Sequence, residues 1–414
     1  MRILIVASNA SSRFGGEAFI PLNYFRLLRA KKMDVWLVVH ARNRPELVLK
    51  FPDAVDRLFF VDDTRLHKAL IRIGRLLPRR LADATTGLLI HLTTQLAQRR
   101  LIRKLVKIHG IEVVHEPIPV SPKTPSLMWG LGAAVVIGPL NGGMEYPEAF
   151  RSERGWISAT ALALGRSFAD VMNIIIPGKR RADIVLVANA RTREALPSGI
   201  SGRVVELVEN GVDLSIWEPS RSGDASDTVR FIFVGRLIDW KAVDIVLSAM
   251  PRLEFRASLE IVGDGPMRES WQNLAEQLRL GSIVQFTGFL PQQACALRLQ
   301  QADVLVLPSL FECGGAVVLE AMAMGLPVIA TAWGGPTDYL DPSCGILVQP
   351  DSRESLIAGF ASAMTTLAQS PALRETLGQA GLARARAQFD WERKIDRITG
   401  LYEQAIKIRA GASD

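Results

Sequence analysis

The chain has 414 residues, 48% hydrophobic and 22% charged, which is ordinary globular usage and excludes a disordered or fibrous protein. That length exceeds what one hydrophobic core usually serves, so two α/β domains are expected. The net charge of +7 is uneven: residues 1–200 hold 30 Lys and Arg against 16 Asp and Glu, a net of +14, and the remainder carries −7. An acidic partner (anionic lipid, nucleic acid or a phosphorylated substrate) is therefore expected for the first half. Cys295, Cys313 and Cys344 form no C-x-x-C pair, which argues against a disulfide framework or zinc site and for a reducing cytoplasm.

The first apolar run, Met1–Ser8, is too short for a signal-peptide core and is predicted as a buried strand. No stretch approaches the roughly 20 apolar residues of a membrane-spanning helix. Further strands are predicted at Val35–Val39, Glu112–His115, Ala133–Ile137 and Ile184–Ala188. A second series covers Val229–Val234, Ser258–Val262, Ile283–Phe286, Val304–Leu307 and Val328–Ala330. Such short runs, alternating with longer amphipathic stretches, are the pattern of two parallel sheets flanked by helices.

Between Arg65 and Lys107 eleven cations meet one acid, Asp83, with leucines and isoleucines interleaved. A basic amphipathic helix on anionic lipid and a solvated basic face with its apolar side on the core both fit this stretch. Turn-forming residues concentrate at Pro197-Ser198-Gly199 and from Pro219 to Asp227, where the domains should divide. The expected organisation is 1–205, 206–390 and an amphipathic C-terminal segment, 391–414, packing back on the first domain.

The segment Phe231 to Lys241 reads as a buried strand ending at Gly235, followed by Arg236 and, five positions later, Lys241. Strand C-termini in open α/β sheets face the ligand crevice, and two cations there suit a diphosphate. A second strand, Val304–Leu307, runs into Glu312, Gly314 and Gly315 and then a helix carrying Glu320. Those glycines let backbone N–H groups approach a phosphate at the helix N-terminus, and an acid on such a helix can bind ribose hydroxyls.

Together with Asn210-Gly211-Val212-Asp213, Val262-Gly263-Asp264-Gly265-Pro266 and Leu326-Pro327-Val328-Ile329-Ala330-Thr331, these motifs resemble, in order and spacing, the retaining glycosyltransferases of family 4, also called glycosyl transferases group 1. The resemblance implies the GT-B fold, two Rossmann-like domains, with a nucleotide-diphosphate sugar as donor and a glycan or lipid-linked acceptor in cell-envelope polysaccharide or glycolipid synthesis. It implies that Arg236 and Lys241 bind the donor diphosphate, Glu320 the ribose and Glu312 the transferred sugar. Gly314 and Gly315 would present backbone amides to the donor, and Leu290 would border the base.

In the first domain the resemblance is looser. It places Gly15 and Gly16 at the donor phosphates, Glu17 beside them toward the acceptor, and His115 against the donor sugar. The loop with Asn141, Gly142 and Gly143 reads as acceptor-facing. No Asp-x-Asp occurs in the chain, so metal and cofactor are not expected, and the protein is expected in the cytoplasm or on the inner face of the plasma membrane. Two other classes are weighed. A nucleotide-sugar 2-epimerase shares the fold but needs acids and histidines set for proton abstraction. A non-enzymatic basic protein binding membrane or nucleic acid follows from the charge, but no nucleic-acid motif supports it.

Overall fold

The computed structural model describes residues 1–13, 16–76, 83–151, 169–219 and 228–411. They fall into two compact units. Met1–Gly143, Ile157–Glu209 and the chain from Lys394 onward form the first, and Met144–Trp156 with Asn210–Arg393 form the second.

Among the described residues the first unit holds seven strands: β1 Arg2–Val6, β2 Asp34–His40, β3 Leu58–Val61, β4 Val113–Glu116, β5 Ala134–Leu140, β6 Ile184–Val187 and β7 Arg203–Glu206. They pair in the order β3-β2-β1-β4-β5-β6-β7, every pairing parallel. A parallel sheet buries both faces under crossover helices, and its strands become continuous apolar runs instead of alternating ones. Ile184-Val-Leu-Val187 is such a run, buried at every position. One face is covered by helix α3 (Leu88–His109), whose Ile102, Leu105 and Val106 pack on Leu4, Val38 and Val114. The crossover into α3 begins with helix α2 (Arg65–Gly74), while α1 (Gly16–Ala30) joins β1 to β2.

The second unit holds β8 Val229–Val234, β9 Ala257–Val262, β10 Val284–Gly288, β11 Val304–Leu307, β12 Val328–Thr331 and β13 Gly345–Val348. Their order is β10-β9-β8-β11-β12-β13, again all parallel. Strand order reverses between β8 and β11, which pair directly, Phe231 opposite Val304 and Ile232 opposite Leu305. At such a reversal the two flanking crossovers leave on opposite faces, opening a crevice beyond the carboxyl ends of both strands.

Helix α4 (Ala316–Ala323) follows β11, and helix α5 (Trp391–Gly411) closes the chain. Ile395, Ile398, Tyr402 and Ala405 line one buried stripe of α5 at near-helical spacing. From Lys394 onward α5 belongs to the first unit. There Lys394 Nζ donates to the Glu209 carbonyl at 2.6 Å.

The strand positions agree closely with the sequence expectation, but β3, β7 and β13 were not foreseen. All three are four-residue strands at sheet edges, where a half-exposed face dilutes the apolar signal. The unit boundary falls after Glu209, against the expected 205. The segment from Met144, expected in the first domain, belongs to the second unit.

Candidate donor site

The crevice at the β8/β11 reversal collects the residues singled out in the second half of the chain. Gly235 closes β8, its N–H bound to the Val262 carbonyl at 3.0 Å. Arg236 follows, exposed to solvent, and a short turn Asp239–Lys241 brings the chain back beside β11. The Leu310 N–H donates to the Trp240 carbonyl at 2.8 Å, locking this turn to the loop after β11. Lys241 Nζ then donates to Glu312 Oε2, an ion pair whose side chains are each 13% exposed. The buried Ser309 hydroxyl donates to the same carboxylate oxygen at 3.3 Å.

Gly315 sits at the N-cap of α4 with φ +85°, a backbone region that a β-carbon makes costly. Its left-handed turn starts the helix a few residues after Glu312, so the positive helix end lies beside that loop. Glu320 stands in the second turn of α4, half-buried, and burial pushes its carboxyl up to about 7. On the neighbouring helix, burial and then the carboxylates of Glu320 and Glu260 raise the Cys295 thiol to about 11. Cys295 Sγ also donates to the Leu290 carbonyl at 3.5 Å. Leu290 therefore bonds the thiol that feels the Glu320 carboxylate.

Arg236, Lys241, Glu312, Gly314, Gly315, Glu320 and Leu290 thus come together at one end of one sheet. Two quoted motifs serve the framework instead. Val212 N–H bonds to the Phe389 carbonyl at 2.9 Å and Trp391 N–H to the Val212 carbonyl at 3.1 Å, which anchors the Asn210–Asp213 turn. The Asp264 carbonyl takes the Leu237 N–H at 3.0 Å and steadies the loop after β8.

In the first unit the outcome is different. Gly15 lies outside the described residues, and Gly16 opens α1 exposed. Glu17, also exposed, accepts the Val120 N–H at 2.9 Å and ties α1 to the loop after β4. His115 is fully buried, with Nε2 2.6 Å from the Gly138 carbonyl and Nδ1 2.7 Å from the Tyr402 hydroxyl. A carbonyl can only accept, so Nε2 carries the proton and Nδ1 takes the Tyr402 O–H. Burial, with Lys394 nearby, depresses this imidazole to about 4. The expectation that His115 touches the donor sugar is corrected on this ground: both nitrogens are engaged inside the first unit.

Asn141 is corrected likewise. It is buried, its amide donating to Glu209 Oε1 at 2.6 Å, so it braces the core and does not face an acceptor. Gly142 N–H donates to Thr192 Oγ1 at 3.1 Å, and Gly143 remains exposed. Sequence reading missed Ser309 and the loop Trp333-Gly334-Gly335, where the Gly335 N–H donates to the Glu312 carbonyl at 2.6 Å. The Gly-Gly-Pro turn after β12 was the available signal for that loop.

Residues 218–383 match the family model described as glycosyl transferases group 1. A D-inositol 3-phosphate glycosyltransferase of Kribbella flavida is 31% identical over 227 residues, which are 50% of this chain and 52% of that protein. The chain spans about half the length of the curated relatives it matches. Among solved structures, a sucrose-phosphate synthase of Thermosynechococcus elongatus aligns with a TM-score of 0.66 at 19% identity, covering 97% of this chain and 98% of that one. The Anabaena protein HepE, solved in complex with UDP, aligns with a TM-score of 0.66 at 16% identity, covering 97% of this chain and 100% of its own. The chain therefore carries a glycosyl transferases group 1 domain across residues 218–383, within the two-sheet α/β fold of solved GT-B glycosyltransferases.

Proposed function

We propose that this protein is a retaining, metal-independent glycosyltransferase that moves a sugar from a nucleotide-diphosphate donor to a glycan or lipid-linked acceptor in cell-envelope synthesis. The observation that carries the reading is the convergence of Arg236, Lys241 and the start of α4 on the carboxyl ends of β8 and β11. Departure of a nucleoside diphosphate builds negative charge on the leaving oxygens, and cations held ready there lower the barrier without reorganisation. The sugar C1–O bond to phosphate breaks and a C1–O bond to the acceptor hydroxyl forms on the same face. The hydroxyl proton passes to the departing phosphate oxygen. Glu312 orients the sugar and Glu320 the ribose.

The acceptor is proposed to lie at an anionic membrane surface on the cytoplasmic side. Of the ten residues of α2, His67 and Leu70 are buried, whereas Leu66 and Ile73 stay 53% and 50% exposed beside Arg65, Lys68 and Arg72. Such a helix can seat its open apolar flank at the headgroup boundary while its cations meet acidic lipid. Not every cation of the 65–107 stretch is available. Arg99 is buried over the Trp129 ring, donating to the Leu127 carbonyl at 2.6 Å, and Arg103 caps the Gly130 carbonyl at 3.3 Å. Among the described residues no helix is long and apolar enough to cross a membrane.

The test is a thermal-shift screen of nucleotide sugars, followed by mass spectrometry of products formed from a lipid extract. A donor that stabilises the protein and a lipid product heavier by one sugar are expected. Stabilisation by no nucleotide sugar would contradict the reading.

A further inference from the structure

The residues after Gly143 leave the first unit and run against the loops of the donor site. Three contacts tie them there. Trp333 Nε1 donates to the Glu145 carbonyl at 2.7 Å. The rings of Tyr146 and Phe311 lie 5.4 Å apart between centroids, tilted by 30°. Met144 is buried with its sulfur against Gly334, so closely that a β-carbon there would collide with it.

Each contact reaches Glu312 within one or two residues. Phe311 precedes it in the chain. Trp333 opens the turn whose Gly335 N–H donates to the Glu312 carbonyl, and a β-carbon on Gly335 would collide with the Gly314 carbonyl oxygen. The loop from Pro308 to Gly315 lacks helix and strand, and residues without regular structure keep a fixed geometry through contacts made from outside.

We propose that Met144, Glu145 and Tyr146 form a strap that positions Glu312, with Trp333 as the positioning residue that transmits its grip. The strap replaces the acceptor-facing role expected for this part of the loop. The inference rests on the reading of Glu312 as the contact to the transferred sugar, and it assigns Trp333 no contact with the donor. Losing the strap should loosen the sugar end of the site and leave the diphosphate end, held by Arg236 and Lys241, intact.

Two measurements decide it on the full chain. The first needs no ligand: amide hydrogen exchange across residues 308–315 in wild type, Trp333→Phe, Tyr146→Ala and Tyr146→Phe. Trp333→Phe keeps a ring but loses the N–H, and exchange should quicken about tenfold, the scale of one neutral hydrogen bond. Tyr146→Ala should do the same, Tyr146→Phe should restore protection, and melting temperatures should stay near wild type. Unchanged exchange in both Trp333→Phe and Tyr146→Ala would overturn the proposal.

The second compares affinity for the nucleotide sugar selected by the screen with affinity for its nucleoside diphosphate, adding Glu312→Gln. The ratio should fall about tenfold in both Trp333→Phe and Glu312→Gln, with diphosphate affinity unchanged in Trp333→Phe. A fall in Glu312→Gln without one in Trp333→Phe refutes the strap. No fall in Glu312→Gln refutes the reading of Glu312, leaving the exchange result to judge the strap. Equal loss of both ligands in Trp333→Phe means general damage to the site and also refutes it.

Discussion

Lys241 and Glu312, 71 positions apart in the chain, form one ion pair at the β8/β11 reversal, with both side chains 13% exposed. The cation assigned to the diphosphate and the acid assigned to the sugar thus hold each other in place before a donor arrives. A pair this far from water is costly to break from one side, because the remaining charge is left desolvated and uncompensated. Lys241→Ala should lower kcat/KM by about 10²–10³, the scale of losing one oxyanion donor. Part of that loss comes from the bared Glu312 carboxylate repelling phosphate. Adding Glu312→Gln to Lys241→Ala should therefore recover diphosphate affinity relative to Lys241→Ala, a non-additivity that calorimetric titration of the four proteins in the cycle measures.

With Glu320 proposed to hold the ribose, nucleotide binding should depend on pH. Burial holds its carboxyl at about 7 in the free protein, so near neutrality a large fraction is protonated. Ribose hydroxyls donating to the ionised form would lower that pKa and expel a proton. Affinity for the nucleoside diphosphate should accordingly rise with pH through the range 6 to 8. In Glu320→Gln the rise should vanish, which titration calorimetry in buffers of different ionisation enthalpy would show.

His115 contributes to stability with the opposite sense from a salt-bridged histidine. Its folded pKa, about 4, lies below the ordinary 6.5, so between those values the unfolded chain binds the extra proton. Stability from this residue is present in full above pH 6.5 and is lost as pH falls toward 4. The shift corresponds to about 3 kcal/mol. The stability difference between wild type and His115→Asn, from urea unfolding, should grow by that order from pH 4 to 6.5. A constant difference would mean that the imidazole is not held neutral.

Metal removal gives a further test. With Arg236, Lys241 and the α4 N-terminus proposed to stand in for a metal at the leaving group, turnover should persist in excess EDTA. Loss of activity that magnesium or manganese restores would contradict this.

The gathering of the second-unit residues was readable because their pattern is local. Gly235, Arg236 and Lys241 follow one strand, Glu312 to Glu320 follow its neighbour, and parallel topology alone brings strand ends together. The edge strands β3, β7 and β13 were not readable, since four residues with one half-open face carry little periodicity. His115 and Asn141 misled for a related reason. A polar residue closing a buried strand has the same local pattern whether it turns into a crevice or into the core. What sent these two inward was Tyr402 and Glu209, partners 287 and 68 positions away. The strap was invisible on the same ground, because Glu145 and Trp333 lie 188 positions apart.

The most direct test of the central claim is nuclear magnetic resonance of the complete reaction, with the selected donor, a lipid acceptor extract and EDTA. The account predicts nucleoside diphosphate released in step with product, and a new glycosidic linkage whose anomeric configuration matches that of the donor. An inverted anomeric centre would contradict same-face transfer. A sugar altered on its nucleotide, with neither acceptor consumed nor diphosphate released, would contradict transfer altogether and identify an epimerase.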